Sequence, residues 1–245
     1  MKLIRYSILS IRHDRIILKA GREAIEHLRK VPGISSISYS YETPAEYDSI
    51  LNCILQIVKP LSPSSLNVRA RRVTKTFPMR STELSAKLSG DISSKLNIEI
   101  NHKEPKPKVY GEIIGDRAYI YHEKIPGVGG LPVGTGGRAV ALISGGIDSP
   151  VALWLMLKRG LSITPIYLHR SPEELEKVKR IVRLLQDYAY SSKLKLKVVE
   201  WMDYMGMVHE KLSNIKKEMW TCIFCKRYML KQAERIGLSI NANAI

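Results

Sequence analysis

One stretch restricts this chain more than any other: the apolar run Ala139-Val-Ala-Leu-Ile143, then Ser144-Gly-Gly-Ile-Asp-Ser149, then Pro150-Val-Ala-Leu-Trp-Leu-Met-Leu-Lys158. A short run without polar alternation fits a strand buried on both faces, the kind found in parallel sheets. Pro150 suits the first helical position, where a missing N–H costs nothing; Ser149 or Asp148 supplies a cap, and Gly160 closes the helix. Because Gly145 and Gly146 carry no side chains, an anion can approach the backbone, where free N–H groups and the positive end of the helix dipole face it. Ser144 and Ser149 add hydroxyl donors. Asp148 would repel a phosphate unless Mg²⁺ lies between them, which points to a metal–nucleotide complex. A tight structural turn with a capped helix would use the same residues, and the pattern alone leaves both readings open.

Charge narrows the partners. The 245 residues include 39 Lys and Arg against 23 Asp and Glu, a formal net charge of +16. Such a surplus attracts phosphate backbones and releases their counterions. It is concentrated in Leu66 to Phe77, where Arg69, Arg71, Arg72 and Lys75 are interleaved with Val68, Ala70 and Val73. On a strand Arg69 and Arg71 project from one face about 7 Å apart, close to the spacing of successive phosphates. A charged edge strand that discourages aggregation is the alternative use of such a cluster; four neighbouring cations favour a polyanion contact. No apolar run reaches the ~20 residues of a membrane span, and the opening Met1-Lys-Leu-Ile-Arg-Tyr-Ser7 lacks a signal peptide's apolar core. No membrane partner and a cytoplasmic location are therefore expected.

Ahead of the basic cluster, residues 2–10 alternate as a strand, Gly21 to Lys30 carries a helical stripe, and Ile34 to Tyr41 reads as a second strand. Pro44 opens a helix with Tyr47, Ile50, Leu51, Ile54, Leu55 and Val58 on its apolar face, and Cys53 fits there as a small hydrophobe. Leu61 to Ser65 reads as a linker. Ser81 caps a helix bearing Leu84, Leu88 and Ile92; strands at 98–102 and 109–114 follow, and Gly115-Asp116 turns into Ala118–His122 as a hairpin. Gly127 to Gly137 is glycine-rich but has neither the Lys-Ser/Thr of a Walker A loop nor the dinucleotide spacing, so it reads as an interdomain connection. Beyond residue 160, strands at 162–169 and 194–201 alternate with helices at 172–190 and 204–217 before Cys222-Ile-Phe-Cys225 and a helix near Lys226–Ile236.

Ser144-Gly-Gly-Ile-Asp-Ser149 resembles the signature of the ATP-pyrophosphatase (PP-loop) superfamily. The longer strings Gly-Gly-Leu-Pro-Val-Gly-Thr-Gly-Gly137 and Ser144 to Ala152 resemble the tRNA 4-thiouridine synthetase family (ThiI). Arg71-Arg-Val-Thr-Lys-Thr-Phe-Pro-Met-Arg-Ser-Thr-Glu-Leu84 is similar to that family's THUMP domain, and Cys222-Ile-Phe-Cys-Lys-Arg-Tyr-Met229 to its archaeal-type members.

The resemblance implies an α/β with α+β architecture: a ferredoxin-like N-terminal unit at residues 1–60, a THUMP domain at 61–126, a linker at 127–137 and a doubly wound parallel-sheet PP-loop domain at 138–245. It implies ATP, Mg²⁺ and tRNA as ligands, with sulfide or a persulfide carrier as sulfur donor. The activity implied is adenylation of O4 of the uridine at the eighth position of tRNA, followed by displacement of AMP by sulfur. Ser144, Gly145, Gly146, Asp148 and Ser149 would cradle the pyrophosphate, Asp148 serving adenylation. Arg71, Arg72, Lys75 and Arg80 would contact tRNA. Cys222 and Cys225 would handle sulfur or hold an iron–sulfur cluster; a bare Cys-x-x-Cys also suits zinc or a redox disulfide.

Two departures accompany the likeness. Leu9 to Lys19 lacks the family's basic stretch after the first strand. In the order 3-2-1-4-5 the strand at 139–143 is central, yet no fourth or fifth strand is legible before Ile245. That strand is thus expected as a bare edge beside the nucleotide site, in a domain that is incomplete unless a second polypeptide or a second copy completes it. A tRNA-binding protein with an inactive loop domain, or one half of a split enzyme, is the rival reading.

Overall fold

The computed structural model describes residues 6–12, 15–190 and 192–245; the expected alternation at Leu3, Ile4 and Arg5 lies outside them. In chain order the elements are β1 (Tyr6–Arg12), β2 (Arg15–Ala20), α1 (Ala24–Leu28), β3 (Ser36–Ile37), β4 (Tyr41–Pro44), α2 (Tyr47–Val58), β5 (Ser65–Arg72), α3 (Ser81–Leu96), β6 (Glu99–Ile100), β7 (Lys108–Ile114), β8 (Arg117–Tyr121) and β9 (Ile125–Pro126). There follow β10 (Arg138–Leu142), α4 (Asp148–Lys158), β11 (Ser162–His169), α5 (Pro172–Gln186), β12 (Lys197–Glu200), α6 (Met202–Asn214) and α7 (Thr221–Ser239). The chain divides into two compact units, one of Ile37–Ile125 and one of Met1–Ser36 with Pro126–Ile245.

The Ile37–Ile125 unit holds a five-stranded mixed sheet of order β4-β8-β7-β5-β6. Period-two alternation along β7 and β8 buries Val109, Ile113, Ala118 and Ile120 on one face, where the stripes of α2 (Ile50, Ile54, Val58) and α3 (Leu84, Leu88, Ile92) pack. Tyr47 Oη donates to Asp91 Oδ2 at 2.6 Å, tying α2 to α3. Since α2 shares this core, the unit runs across residue 60, where the sequence suggested a boundary. Leu61 to Ser65 is the tight passage from α2 into β5.

The edge of β5 opposite β7 is satisfied without a full neighbouring strand. β6 pairs only with Ser65 and Leu66. Farther along, the N–H groups of Val68, Ala70 and Arg72 donate to the hydroxyls of Ser89, Ser85 and Ser81 at 3.3, 2.8 and 3.1 Å. Helical serines four residues apart match strand residues two apart, about 6 Å in either case. Ser81, expected to cap α3, is spent on this ladder instead; the cap residue is Arg80, whose N–H donates to Glu83 Oε2 at 3.4 Å. Ser85→Ala leaves the Ala70 N–H unpaired and is expected to lower the unfolding free energy by about 1–3 kcal/mol. In urea denaturation the exposed Ser94→Ala should change it by less than about 0.5 kcal/mol.

In the other unit β10, β11 and β12 form a parallel sheet in that order. Leu153 and Leu157 of α4 and Val178, Val182 and Leu185 of α5 pack with Ile143, Ile163 and Tyr167. Ala233 of α7 packs with Val140 and Ile166. Helices therefore cover both faces, which is why β10 and β11 read as continuous apolar runs. The expectation of a bare β10 edge is corrected for its first residues, Arg138 to Val140. After α7, Asn241 takes a left-handed conformation (φ 52°) and the chain turns back. Asn243 N–H then donates to Arg138 O at 2.8 Å, Val140 N–H donates to Ala244 O at 3.0 Å, and Ala139 bridges Ala244 in parallel.

β1 and β2 pair with each other as an antiparallel hairpin, a pairing the sequence did not suggest. Lys30 Nζ donates to Asp187 Oδ2 at 3.0 Å, and Tyr190 Oη lies 3.3 Å from His27 Nδ1. The glycine-rich run is clamped at the C-terminal end of α4: Leu131 N–H donates to Lys158 O, and Gly134 and Gly136 N–H donate to Gly160 O. A Cβ on Gly130, whose φ is +80°, would clash with Lys158 O. The run thus stands at the end of α4 away from Ser144–Ser149, about 16 Å off for an eleven-residue helix.

Candidate functional site

The loop at 144–149 leaves the C-terminal end of β10 and enters α4, placing a helix N-terminus at the crevice where open α/β sheets bind ligands. Its two serines tie it together. Ser144 N–H donates to Ser149 Oγ at 2.9 Å, the two hydroxyls lie 3.1 Å apart, and Gly146 N–H donates to Ser144 Oγ at 3.3 Å. Ser149 therefore staples the loop instead of capping α4, which begins one residue earlier, at Asp148. Pro150 sits in the first turn, where it is tolerated. Asp148 lies at the positive end of the helix dipole. The N–H groups of Gly145 and Ile147 have no acceptor among the described residues, and those of Asp148 and Ser149 belong to the helical turn that lacks intrahelical acceptors. Neither Gly145 nor Gly146 has a positive φ, so backbone conformation does not demand glycine; absence of a side chain does. These residues fit a polyphosphate, and Asp148 fits a cation bound mainly through phosphate oxygens.

Other residues at the same end of the sheet carried little sequence signal. Glu174 and Lys177 of α5 lie against Gly145. His169 ends β11 opposite Glu200, with Nδ1 3.4 Å from Glu200 Oε2. His169 Nε2 and Trp201 Nε1 are buried atoms without a partner among the described residues, and the Arg170 guanidinium lies 5.1 Å from the centre of the Trp201 ring. Neither spacing nor periodicity links these positions; only the fold brings them together.

Cys222 and Cys225 are the second and fifth residues of α7, which begins at Thr221, earlier than the expected start near Lys226. Cys222 is exposed and Cys225 half-buried. Cys53 is half-buried in α2 of the other unit, and burial pushes its thiol pKa up. A cluster takes three or four ligands as a rule, and among the described residues no group of three or more His, Cys, Asp or Glu could hold a metal. The cysteines of this chain do not fit an iron–sulfur cluster by themselves.

Arg69 and Arg71 project exposed from β5, and Lys75 and Arg80 are exposed in the segment leading to α3. Arg72 differs: it is half-buried, and its Nη1 donates to Phe77 O at 2.8 Å, bracing the turn. Asn67, Arg69, Ser85, Ser89 and His102 line a groove of about 410 Å³ beside the serine ladder.

Comparison with known proteins agrees with both units. Residues 44–123 match the THUMP domain, and residues 134–245 match the family described as thiamine biosynthesis protein (ThiI). A probable tRNA sulfurtransferase of Methanocaldococcus jannaschii is 38% identical over 100% of this chain and 68% of its own length. One from Thermococcus kodakarensis is 38% identical over 99% of this chain and 65% of its own. A crystal structure from Pyrococcus horikoshii superposes with a TM-score of 0.74 at 35% identity, covering 86% of this chain and 73% of that one. A 4-thiouridine synthetase–RNA complex with bound ATP superposes with a TM-score of 0.81 at 26% identity, covering 96% and 63%. A THUMP domain and a PP-loop-like α/β domain on one chain define the class. The chain belongs to the tRNA sulfurtransferase (ThiI) family. It spans about two thirds of the length of the curated relatives it matches. Among the described residues no helix is long and apolar enough to cross a membrane.

Proposed function

We propose that this chain carries the RNA-holding and nucleotide-binding parts of an ATP-dependent tRNA sulfurtransferase that makes 4-thiouridine. The observation that carries the reading is the pairing, on one chain, of a glycine loop with unpaired amides at a helix N-terminus and a THUMP unit that exposes Arg69, Arg71, Lys75 and Arg80. In this reading the amides of Gly145 and of Ile147 to Ser149 hold the β- and γ-phosphates of ATP, and the loop serines fix its shape. Asp148 would hold Mg²⁺, which would supply charge neutralisation to the phosphates. O4 of the uracil ring attacks the α-phosphorus and pyrophosphate leaves. Sulfide then attacks C4 and displaces AMP; where the sulfur comes instead as a persulfide on Cys222 or Cys225, its outer sulfur displaces AMP and the thiolate of the other cysteine cleaves the S–S bond, leaving 4-thiouridine and a Cys222–Cys225 disulfide for an external thiol to reduce. Arg69, Arg71, Lys75 and Arg80 take the tRNA backbone; Arg72 supports them by holding Phe77. The bound ATP and RNA of the 4-thiouridine synthetase complex support the assignment.

Incubating the chain with tRNA, Mg-ATP and sulfide, followed by nucleoside analysis, tests it. ATP-dependent 4-thiouridine is the expected product. Tight tRNA binding with no turnover and no nucleotide uptake would instead favour a binding protein with an inactive loop domain.

A further inference from the structure

The loop from Ser144 to Ser149 carries one charge, the carboxylate of Asp148, and no cation. A triphosphate brings several negative charges, so dipoles and one Mg²⁺ leave the pocket short of positive charge. In loops of the Walker A kind the balancing lysine is written into the loop itself. Here the fold brings one from elsewhere. A Cβ built on Gly145 would stand 3.2 Å from Lys177 Cδ and 3.4 Å from Glu174 Cγ. Since the φ of Gly145 is not positive, the missing side chain leaves room for this approach.

Glu174 and Lys177, three residues apart on α5, share a face, and Ser171 Oγ caps the helix by accepting from Glu174 N–H at 3.2 Å. Glu174 faces Tyr167, whose hydroxyl is pushed up in pKa by burial first and by the Glu174 carboxylate after it. Lys177 is exposed and in no ion pair among the described residues, whereas Lys179, two positions on, is held by Glu176 at 2.7 Å. The ammonium of Lys177 lies two bonds beyond the Cδ that touches the loop.

We propose that Lys177 is a phosphate-binding residue of the ATP site, taking the β- and γ-phosphate charge that the loop cannot neutralise. This rests on the loop being the nucleotide site. It adds to that reading a residue from α5, outside the glycine motif, and the prediction that the site separates ATP from AMP through it.

Calorimetric titration of the full chain with Mg-ATP and, separately, with AMP tests the proposal, using wild type, Lys177→Gln, Lys177→Arg and Lys179→Gln. Lys177→Gln should weaken Mg-ATP by about 10- to 100-fold, the value of one charge-assisted bond, while AMP changes by less than about 2-fold. Lys177→Arg should recover most of the ATP affinity, and Lys179→Gln should match wild type. Unchanged ATP binding in Lys177→Gln would overturn the proposal. So would an equal loss for ATP and AMP, which would mark a packing role against Gly145. Wild type that takes up no Mg-ATP would sink the nucleotide-loop reading itself and the lysine with it, an outcome distinct from the other two.

Discussion

Asp148→Asn will cut ATP-dependent 4-thiouridine formation by about 100-fold or more, the scale of losing one electrostatic contact to the reacting group, and will leave tRNA affinity within about 2-fold. The isosteric amide keeps the shape of the first turn of α4 and removes only the charge. Folding should suffer little, since a single acidic residue at an exposed helix N-terminus contributes about 0.3–1 kcal/mol. In the proposed reaction pyrophosphate is the leaving group, and a cation held by Asp148 would offset the charge that develops on it. Single-turnover rates at saturating Mg-ATP measure the effect, with a urea melt to confirm the fold. Loss of tRNA binding in the same variant would show that Asp148 acts on structure and not on chemistry.

The second large effect concerns RNA. Replacing Arg69, Arg71 and Lys75 together by alanine should lower tRNA affinity by about 100-fold near ~0.1 M salt and flatten the salt dependence by about 2–3 units of slope. These side chains are exposed and not needed by the core, so stability should change little. Arg72→Ala is expected to behave oppositely. It removes the bond to Phe77 O and leaves the turn that holds the buried Phe77 side chain unsupported, so it should cost stability while the salt slope stays near wild type. Filter binding across a salt series, paired with denaturation, separates the two kinds of arginine.

How much of this was legible follows from where the information sits. Local chemistry announces itself: an apolar run, paired glycines, a proline and a following helix identify β10, the loop and α4, and the apolar stripe of α2 is unambiguous. Boundaries read less well, because tertiary contacts set them. Pro44 ends β4 and does not open α2, which begins at Tyr47, and α2 belongs to the core of the sheet that follows it. The β1–β2 hairpin went unseen because the chain between Ile11 and Ile16 has no glycine or Asn-Gly turn to mark it. The edge expected to be bare at β10 is covered along Arg138 to Val140, where residues 243–244, too few to read as a strand, pair with it. Ser81, Ser85 and Ser89 look like ordinary polar positions of a helix until β5 lies beside them. At the site, the loop residues were readable from the motif, whereas Lys177 and Glu174 reach it only through the packing of α5 beside the loop.

Triphosphate is expected at the amides of Gly145 and of Ile147 to Ser149. A crystal structure of the chain with a non-hydrolysable ATP analogue and Mg²⁺ measures this directly. The β- and γ-phosphates should lie within about 3 Å of those amides, with Asp148 turned toward the ion. Phosphates bound elsewhere, or an empty loop with Asp148 directed into the protein, would contradict it.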